Sequence, residues 1–301
     1  MRILVTGASG HLGFHLVRYL ERVGSGAEKD RLELVAAFGK TPVSCEFANA
    51  KSLELRNPDA CRGLLNEFQP THIVHAAAMA NTTECEQNPE LAAAVNTDGT
   101  RNLLEAAAAL KSKPHFSLIS TDLVFDGAKG NYSEVDNTNP LMVYGRTKLE
   151  GERIASSSGL PLAILRSALI FGPLDRERPS FLYWLLEGIK GRAVTLFDDE
   201  FRTPVYVEDL CSGIWSAMQQ EVTGIVHLAG AERRSRYNFA LLVAEVFGIP
   251  TEHVVRGLLA DAKLPFQRPV DVSMNISQAR RILGFAPLSN RSALEIIRDS
   301  V

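Results

Sequence analysis

Three glycines near the N-terminus constrain the fold more than any other feature of this chain. Gly7, Gly10 and Gly13 follow the apolar run Arg2–Thr6, and a helical pattern opens directly after them. A strand, a tight turn and a helix in this order let a phosphate approach the backbone closely, because the helix start offers N–H groups and a positive dipole end. Ordinary strand–turn–helix connections also use such glycines, so the turn alone leaves both interpretations open.

The first half of the chain alternates short β-branched runs with longer helical patterns, which is typical of βαβ units. The longest helical pattern, Pro89–Leu110, is rich in alanine and apolar nearly all round in its second half, so we expect it to pack on a sheet. Right-handed crossovers then build an α/β fold with a Rossmann-type, doubly wound parallel sheet. The predicted strands are Arg2–Thr6, Leu32–Phe38, Ser52–Leu55, His72–Ala76, His115–Ser120 and Pro161–Leu165.

The pattern loosens after Gly172 and Pro173, where a charged stretch with flanking prolines indicates a loop. We therefore expect a cofactor-binding domain over residues 1–172, which also uses parts of 203–229, and a smaller, mixed substrate-binding region over 173–301. The predicted elements of that second region are helices over Ser180–Ile189, Val207–Gln219, Asn238–Phe247, Ser277–Leu283 and Arg291–Ser300, with strands over Val194–Phe197 and Gly224–Leu228.

Charge and hydropathy favour a small diffusible ligand over a macromolecule. The 301 residues carry a net charge of −3, which provides no basic field for nucleic acid or an anionic membrane. We find neither the apolar stretch of a signal peptide nor the ~20 apolar residues of a membrane helix, and we expect a cytoplasmic protein. The sequence leaves open whether the chain forms a homodimer.

Cysteine and histidine spacing predicts no metal site. The four cysteines contain no CxxC pair and have no zinc-like spacing to histidine, so we expect free thiols at Cys45, Cys61, Cys85 and Cys211. His72 and His75 lie inside an apolar run, where a hydrogen-bonded core histidine is more common than a metal ligand.

Tyr144 and Lys148 are four residues apart, which puts a phenol and an ammonium on the same face of a helix. A phenol with a pKa near ~10 is a slow acid at neutral pH, and a neighbouring cation stabilises the phenolate and lowers that pKa. Thr121 ends a predicted strand, at the edge of a doubly wound sheet where ligands bind, so its hydroxyl is placed to contact a substrate carbonyl. Each feature also has an ordinary structural interpretation, and their occurrence together favours catalysis.

The end of the second predicted strand sets the preference between NADPH and NADH. An acidic residue there favours the ribose of NAD, whereas a basic residue accepts the 2′-phosphate of NADP. No carboxylate ends this strand, and Lys40 follows it. We predict NADPH as the preferred cofactor, with NADH as the alternative and a solvated surface lysine as the ordinary interpretation of Lys40.

These motifs, in this order, resemble the extended short-chain dehydrogenase/reductases. Two stretches, 120–127 (STDLVFDG) and 144–152 (YGRTKLEGE), look like the corresponding parts of the dTDP-4-dehydrorhamnose reductase family. His75 with the three alanines after it, the stretch from Asn88 to Asn96, and Arg268 before Pro269 extend the resemblance over almost the whole chain.

The resemblance implies a hydride transfer from nicotinamide to C4 of a nucleotide-linked keto sugar. It assigns Tyr144 as the acid and Thr121 as a donor to the reacting oxygen, while Lys148 tunes the phenol and holds the nicotinamide ribose. Glu54 and Leu55 stand where the family has an acidic–hydrophobic pair beside adenine. The cofactor contacts that it implies are Gly7, Gly10, His11, Leu12, Gly13, Lys40, Glu54, Leu55, Ala76, Ala77, Ala78, Asn96, Tyr144 and Lys148.

On the substrate side, the resemblance implies contacts from Asp122, Leu123, Leu169 and Arg202, with the guanidinium suited to a diphosphate. Leu123 and Leu169 stand where rhamnose-forming reductases have an aromatic residue and a tryptophan. Because leucine lacks the planar face that stacks on a sugar ring, we expect dTDP-4-dehydrorhamnose to be at best one of several substrates.

Two alternatives stay open. The first is an epimerase or dehydratase that retains its NAD, although dehydratases of this type have an acidic pair after the threonine, whereas here Leu123 follows Asp122. The second is a cofactor-binding regulatory protein similar to the non-catalytic subunit of methionine adenosyltransferase. Retention of Thr121, Tyr144 and Lys148 together favours an enzyme.

Overall fold

The computed structural model describes residues 1–24, 32–39, 41–42 and 49–300. Contacts within the chain divide it into two compact units. The first unit contains Met1–Thr121, Val143–Leu165 and Cys211–Val226, and the second contains Asp122–Met142, Arg166–Leu210 and His227–Val301. This division differs from the boundary expected at residue 172, because the chain already leaves the first unit after residues 121 and 165, close to the ends of two strands.

The strands are short and most of them belong to one sheet. Their bounds are β1 Arg2–Thr6, β2 Glu33–Phe38, β3 Asn49–Ser52, β4 His72–His75, β5 His115–Thr121, β6 Leu162–Ser167, β7 Ile170–Phe171, β8 Val194–Phe197, β9 Phe201–Arg202, β10 Val205–Tyr206, β11 Gly224–Leu228, β12 Arg234–Ser235 and β13 Val254–Gly257.

Within the described residues, seven of these strands form one sheet in the order β11-β6-β5-β4-β1-β2-β3. Strand β1 pairs in parallel with β2 on one side and with β4 on the other, so the strand order reverses at β1. The pairs β2–β3 and β4–β5 are parallel as well. This confirms the predicted α/β fold with a doubly wound parallel sheet, and it puts the glycine turn after β1 at the reversal point, where such sheets bind ligands.

One predicted strand was wrong in position. The expectation of Ser52–Leu55 is replaced by β3 over Asn49–Ser52, and the chain leaves the sheet with the Leu53 N–H bonded to the Phe38 carbonyl. Glu54 and Leu55 therefore lie in the turn after the strand. The strands β7, β9, β10, β12 and β13 have two to four residues each. This is too short for an alternation of apolar and polar residues, so the sequence did not predict them.

The helices are bounded by local capping residues. Asn57 accepts hydrogen bonds from the N–H groups of Asp59 and Ala60 at the start of the helix that begins at Pro58. Ser180 and Ser235 cap the helices that begin at Phe181 and Arg236 in the same way. The helix bounds are α1 His11–Gly24, α2 Pro58–Phe68, α3 Thr82–Gln87, α4 Pro89–Ala93, α5 Gly99–Ala108, α6 Val143–Ser156, α7 Phe181–Gly191, α8 Val207–Gln219, α9 Arg236–Phe247, α10 Ser277–Leu283 and α11 Asn290–Asp299.

The predicted helix Pro89–Leu110 is interrupted. A π-helical turn over Ala94–Asp98 separates α4 from α5, and the Gly99 N–H bonds the Ala94 carbonyl five residues back. Such bulges occur often at functional sites. The turn carries the buried Asn96, whose side-chain contacts are described below.

The core of the first unit lies between the sheet and the pair α2 and α5. Leu4, Ile73 and Phe116 from the strands are fully buried against Leu65 of α2 and Leu103 of α5. Truncating one such side chain typically costs ~2–5 kcal/mol of stability. The packing therefore fixes the strand ends that carry the candidate site.

Three of the four cysteines lie among the described residues. Cys61, Cys85 and Cys211 are buried thiols that belong to no disulfide, and Cys45 lies outside the described residues. Among the residues that the structure describes, no helix has the length and hydropathy of a membrane span, and no group of acidic, cysteine and histidine side chains is arranged for a metal ion.

Candidate active site

The glycine turn after β1 is required by close packing of the backbone. Gly7 has φ +74°, and a Cβ there would lie 2.6 Å from the Ala77 nitrogen. A Cβ on Gly13 would lie 2.1 Å from the Gly7 carbonyl oxygen. A Cβ on Gly10, in contrast, meets only the Gly7 carbonyl oxygen within 4 Å, at 3.3 Å. The outer two glycines thus seat α1 against the strand ends, and Gly10 is packed less tightly at the start of that helix.

His75 ties the glycine turn to the neighbouring strand end. The Thr100 hydroxyl donates to the Asn96 carbonyl and so accepts a hydrogen bond from His75 Nε2 at 3.0 Å. His75 Nδ1 then accepts from the Thr6 hydroxyl at 2.7 Å, and that hydroxyl oxygen also accepts the Ala77 N–H. Burial, together with the charge of Lys148, lowers the pKa of His75 to about 3. The ring is therefore neutral, as expected for a core histidine.

A cavity of about 480 Å³ opens beside this turn in the first unit. Half of the predicted cofactor contacts line it, whereas His11, Leu12 and Gly13 belong to the first turn of α1. Lys40 lies outside the described residues. The predicted residues that line the cavity are Gly7, Gly10, Glu54, Leu55, Ala76, Ala77 and Ala78.

Glu54 lines the cavity and pairs with Arg56, a pairing that the sequence did not predict. Its two carboxylate oxygens accept hydrogen bonds from Arg56 Nε at 2.9 Å and Arg56 Nη2 at 2.8 Å. This bidentate pair fixes the carboxylate in one orientation. Leu55, the next residue, is buried and contributes an apolar wall.

Helix α6 carries the tyrosine and the lysine. Tyr144 is partly buried in its first turn, and Lys148, one turn further, is only 3% exposed. Burial lowers the pKa of Lys148 to about 8, although the Glu152 carboxylate acts to raise it. The helix packs against β5, whose last residue is Thr121. A buried ammonium, a phenol and a hydroxyl thus belong to two elements in direct contact.

Asn96 supports this helix from the π-helical turn. Its Nδ2 donates to the Met79 carbonyl at 3.1 Å and to the Thr147 hydroxyl at 3.0 Å, and its Oδ1 accepts the Met79 N–H at 2.7 Å. Both amide protons are therefore used within the protein. Thr97 adds a hydrogen bond to the Thr147 carbonyl, so the turn positions α6 next to Lys148.

In the second unit, Arg202 belongs to a buried charged cluster. Glu200 is 0% exposed, and its Oε1 lies 3.1 Å from Arg202 Nη2 and 2.8 Å from Arg268 Nη2. Arg236 Nε lies 3.6 Å from the same oxygen, and Asp122 Oδ2 lies 3.8 Å from Arg202 Nε. Arg202 is thus a buried charge and not a surface one.

The environment of this charged cluster shifts the pKa values of two of its members. Burial lowers the pKa of Arg236 to about 10, against the opposing charge of Glu200. Burial alone would raise the pKa of Glu200, but Arg236, Arg202 and Arg268 together bring that pKa below its ordinary value. Three cations thus face two carboxylates, Glu200 and Asp122, with an excess of one positive charge.

Leu123 and Leu169 also belong to the second unit. Leu123 lies in a 3₁₀ turn over Asp122–Val124, directly after β5, and is partly buried. Leu169 is partly buried too, and its carbonyl accepts the Val205 N–H at 2.9 Å. Nothing in their surroundings assigns a ligand, and their role stays a prediction.

Comparison with protein families decides the relationship. The model for the family described as "RmlD substrate binding domain" matches residues 1–301, the whole chain. The chain belongs to this RmlD family.

Two kinds of relative share the family resemblance. The methionine adenosyltransferase 2 subunit beta of Danio rerio is 30% identical over 311 residues, covering 100% of this chain and 90% of that protein. The dTDP-4-dehydrorhamnose reductase of Aggregatibacter actinomycetemcomitans is 28% identical over 312 residues, covering 99% and 98%.

Solved structures agree with the fold of this RmlD-family chain. A hypothetical dTDP-4-dehydrorhamnose reductase from Sulfolobus tokodaii has a TM-score of 0.79 and 32% identity, covering 96% of this chain and 98% of that one. The Bacillus anthracis dTDP-4-dehydrorhamnose reductase, solved in complex with NADP, has a TM-score of 0.82 at 22% identity, covering 100% and 99%. The chain is thus dTDP-4-dehydrorhamnose reductase-like, of the extended short-chain dehydrogenase/reductase type.

Sequence reasoning missed two groups in this RmlD-family chain. The first is Ser120 with Glu152, both buried, which form a hydrogen bond between β5 and α6. The second is Glu200 with Arg236, which join Arg202 in the buried cluster. No local sequence pattern marked either group, because Glu152 stands beside Arg153 and Glu200 directly follows Asp199.

Proposed function

We propose that this protein is an NADPH-dependent reductase of a 4-keto nucleotide sugar. One observation carries the proposal: Lys148 is buried one helical turn from Tyr144, on a helix that packs against the strand ending in Thr121. Burying an ammonium is unfavourable, so its presence beside a phenol in the first unit needs a purpose. Activation of that phenol as an acid supplies one.

The roles follow from the chemistry of each group. Tyr144 donates its proton to the keto oxygen as that oxygen gains negative charge, and the Lys148 ammonium stabilises the resulting phenolate. Lys148 also donates to a hydroxyl of the nicotinamide ribose. Thr121 donates a hydrogen bond to the reacting oxygen and orients it. When bound, the nicotinamide supplies the hydride.

The cavity beside the glycine turn suits the adenosine and diphosphate part of this cofactor. Gly10 leaves room for a pyrophosphate at the start of α1, and Ala76–Ala78 provide a small-residue wall. Leu55 and the oriented Glu54 face the adenine. Strand β2 ends at Phe38 and is followed by Gly39, so no carboxylate stands there, which favours NADPH. Lys40 is the proposed contact to its 2′-phosphate. The NADP complex of the Bacillus anthracis reductase supports the same choice.

The buried arginines of the second unit suit the diphosphate of the sugar nucleotide. Arg202 Nη1, Arg236 Nη1 and Arg268 Nε are buried and have no hydrogen-bond partner among the described residues. Buried donors of this kind are costly unless a ligand satisfies them. An excess positive charge with free guanidinium donors matches a diphosphate. Asp122, Leu123 and Leu169 are the further proposed substrate contacts.

The direct test is turnover. We would incubate the protein with NADPH and a panel of nucleotide-linked 4-keto sugars, and follow NADPH absorbance. We expect consumption with at least one sugar, and consumption that is roughly 10²–10⁴-fold slower with Tyr144→Phe. NADPH binding without consumption in the presence of any keto sugar would overturn the reductase proposal.

The similarity to methionine adenosyltransferase 2 subunit beta supports a second candidate, a cofactor-binding regulatory subunit. This candidate predicts a stable complex with a methionine adenosyltransferase catalytic subunit, detectable by light scattering, and no reduction of keto sugars. Turnover in the panel without complex formation would reject it.

A further inference from the structure

Glu152 is a buried carboxylate to which the proposed chemistry assigns no role. It lies on α6 one turn after Lys148 and two turns after Tyr144, and it is 3% exposed. A buried carboxylate is costly unless it is paired and hydrogen-bonded. Its position on the helix face that carries the lysine therefore needs an explanation.

The first partner of Glu152 is Ser120. The Ser120 hydroxyl donates a hydrogen bond to Glu152 Oε1, and Ser120 itself is 4% exposed. Ser120 directly precedes Thr121 on β5. This hydrogen bond therefore joins the helix that carries Tyr144 and Lys148 to the strand end that carries Thr121. Asn96 and Thr97 hold α6 through Thr147, so the helix is fixed on two sides.

Lys148 is buried one helical turn before Glu152 on the same helix, and the Glu152 carboxylate acts on it through its charge. Among the described residues, the charged groups on the other elements packed against α6 do not supply a second buried anion. His75 on β4 is neutral, and Glu86 on α3 is bonded to the Val143 N–H at the helix start. The acidic residues of α4, the π-helical turn and α5 are exposed, namely Glu90, Asp98 and Glu105.

We propose that Glu152 is a positioning residue for the reduction: its carboxylate is the counter-charge that keeps Lys148 protonated inside the protein, and its hydrogen bond to Ser120 fixes the helix against the Thr121 strand end. This inference rests on the proposed function of Tyr144 and Lys148. The opposing effects of burial and of Glu152 on the pKa of Lys148 agree with it.

Two variants separate the charge from the hydrogen bond. Glu152→Gln keeps the shape and an acceptor oxygen for Ser120 but removes the charge, so Lys148 loses its proton more easily. Ser120→Ala keeps the charge and removes the hydrogen bond. Glu150→Gln is the matched control, since Glu150 is on the same helix and pairs with Arg153 at the surface.

The primary measurement is NADPH affinity as a function of pH, from cofactor fluorescence, because it requires no turnover. For Glu152→Gln we expect the alkaline loss of affinity to move to lower pH by about one unit. Glu150→Gln leaves it unchanged. Ser120→Ala keeps the wild-type pH dependence but lowers kcat with little change in KM, and Glu152→Asp restores the wild-type pH dependence.

The outcomes distinguish this inference from the function on which it rests. If the wild type binds NADPH and the profile of folded Glu152→Gln overlays it, Glu152 has only a structural role and the inference is overturned. If Glu152→Gln does not fold, a shifted profile in Ser120→Ala, which retains the charge, overturns it instead. If the wild type binds no NADPH at any pH, the proposed function fails and this inference fails with it.

Discussion

The two units of this protein bury charge in opposite ways. In the first unit, one buried cation, Lys148, lies one helical turn from one buried carboxylate, Glu152, and the carboxylate is bonded to Ser120. In the second unit, three arginines face two carboxylates, and several buried guanidinium atoms lack a partner among the described residues. A matched pair keeps a reactive group in place, whereas an unmatched excess calls for a ligand of opposite charge. The predictions below test this contrast.

The largest expected effect is in the first unit. Tyr144→Phe removes the proposed proton donor, so we expect the rate of keto-sugar reduction to fall by roughly 10²–10⁴-fold. NADPH affinity should be retained, since the phenyl ring keeps the packing. Steady-state kinetics and cofactor fluorescence measure the two properties separately.

Tyr19→Phe is the control for this change, because it removes a phenol from α1 in the same unit without touching α6. Full activity in Tyr144→Phe would remove the tyrosine from the mechanism. Equal losses in both variants would point to a general effect of the substitution.

The next effect is in the second unit. Arg268→Met removes one guanidinium from the cluster, and hydrogen bonds to charged groups contribute about 1.5–3 kcal/mol, so nucleoside diphosphate affinity should fall by roughly 10–100-fold. NADPH affinity should not change. Calorimetric titration with a nucleoside diphosphate measures the first and fluorescence the second.

Arg256→Met provides the comparison, because Arg256 pairs with Asp198 in the same unit and its side chain is 63% exposed. Unchanged diphosphate affinity in Arg268→Met would mean that the excess charge of the cluster serves another purpose.

Acid should destabilise both units through their buried histidines. Burial and Lys148 lower the pKa of His75 to about 3, and burial and Arg166 lower the pKa of His227 to about 4. Between pH 6.5 and about 4 the unfolded chain therefore binds protons that the folded chain does not. The free energy of unfolding therefore decreases as the pH is lowered through this window, by about 1.4 kcal/mol per pH unit for each histidine.

Urea unfolding at several pH values measures this slope. His227→Phe should reduce it, because phenylalanine takes no proton and Phe125 already provides an aromatic neighbour. A stability that is independent of pH across the window would contradict the neutral, buried state of these rings.

The smallest effect concerns substrate choice. Leu169→Trp offers a planar face for a sugar ring, and such contacts contribute on the order of 0.5–1.5 kcal/mol, or up to about tenfold in kcat/KM. We expect the wild type to accept several keto sugars and the variant to favour dTDP-4-dehydrorhamnose. Selective turnover of that compound by the wild type would show that other residues complete the pocket.

Local patterns predicted much of the fold and the first half of the site. The glycine turn, the strand ending in Thr121 and the Tyr144–Lys148 spacing depend on residues close in sequence. The break at Ala94–Asp98 depends instead on contacts of Asn96 with Met79 and Thr147, which lie far away along the chain. The helical periodicity of the sequence contains no information about such contacts, so it predicted one continuous helix.

The charged clusters escaped prediction for the same reason. Ser120 and Glu152 are 32 residues apart, and Glu200 and Arg268 are 68 apart, so only the folded chain brings them together. A lone charged residue in a sequence is most often solvent-exposed. These charged side chains are buried because of how the folded chain packs, and a single position in the sequence does not predict that packing.

An isotope label on the transferred hydride tests the reductase proposal most directly. With NADPH that carries deuterium at the transferring position of the nicotinamide, we expect one deuterium at C4 of the reduced sugar, detected by NMR. We expect this signal to be lost in Tyr144→Phe. A product without deuterium, formed while NADPH is not consumed, would show that the protein returns the substrate's own hydride as an epimerase does, and would contradict the reductase.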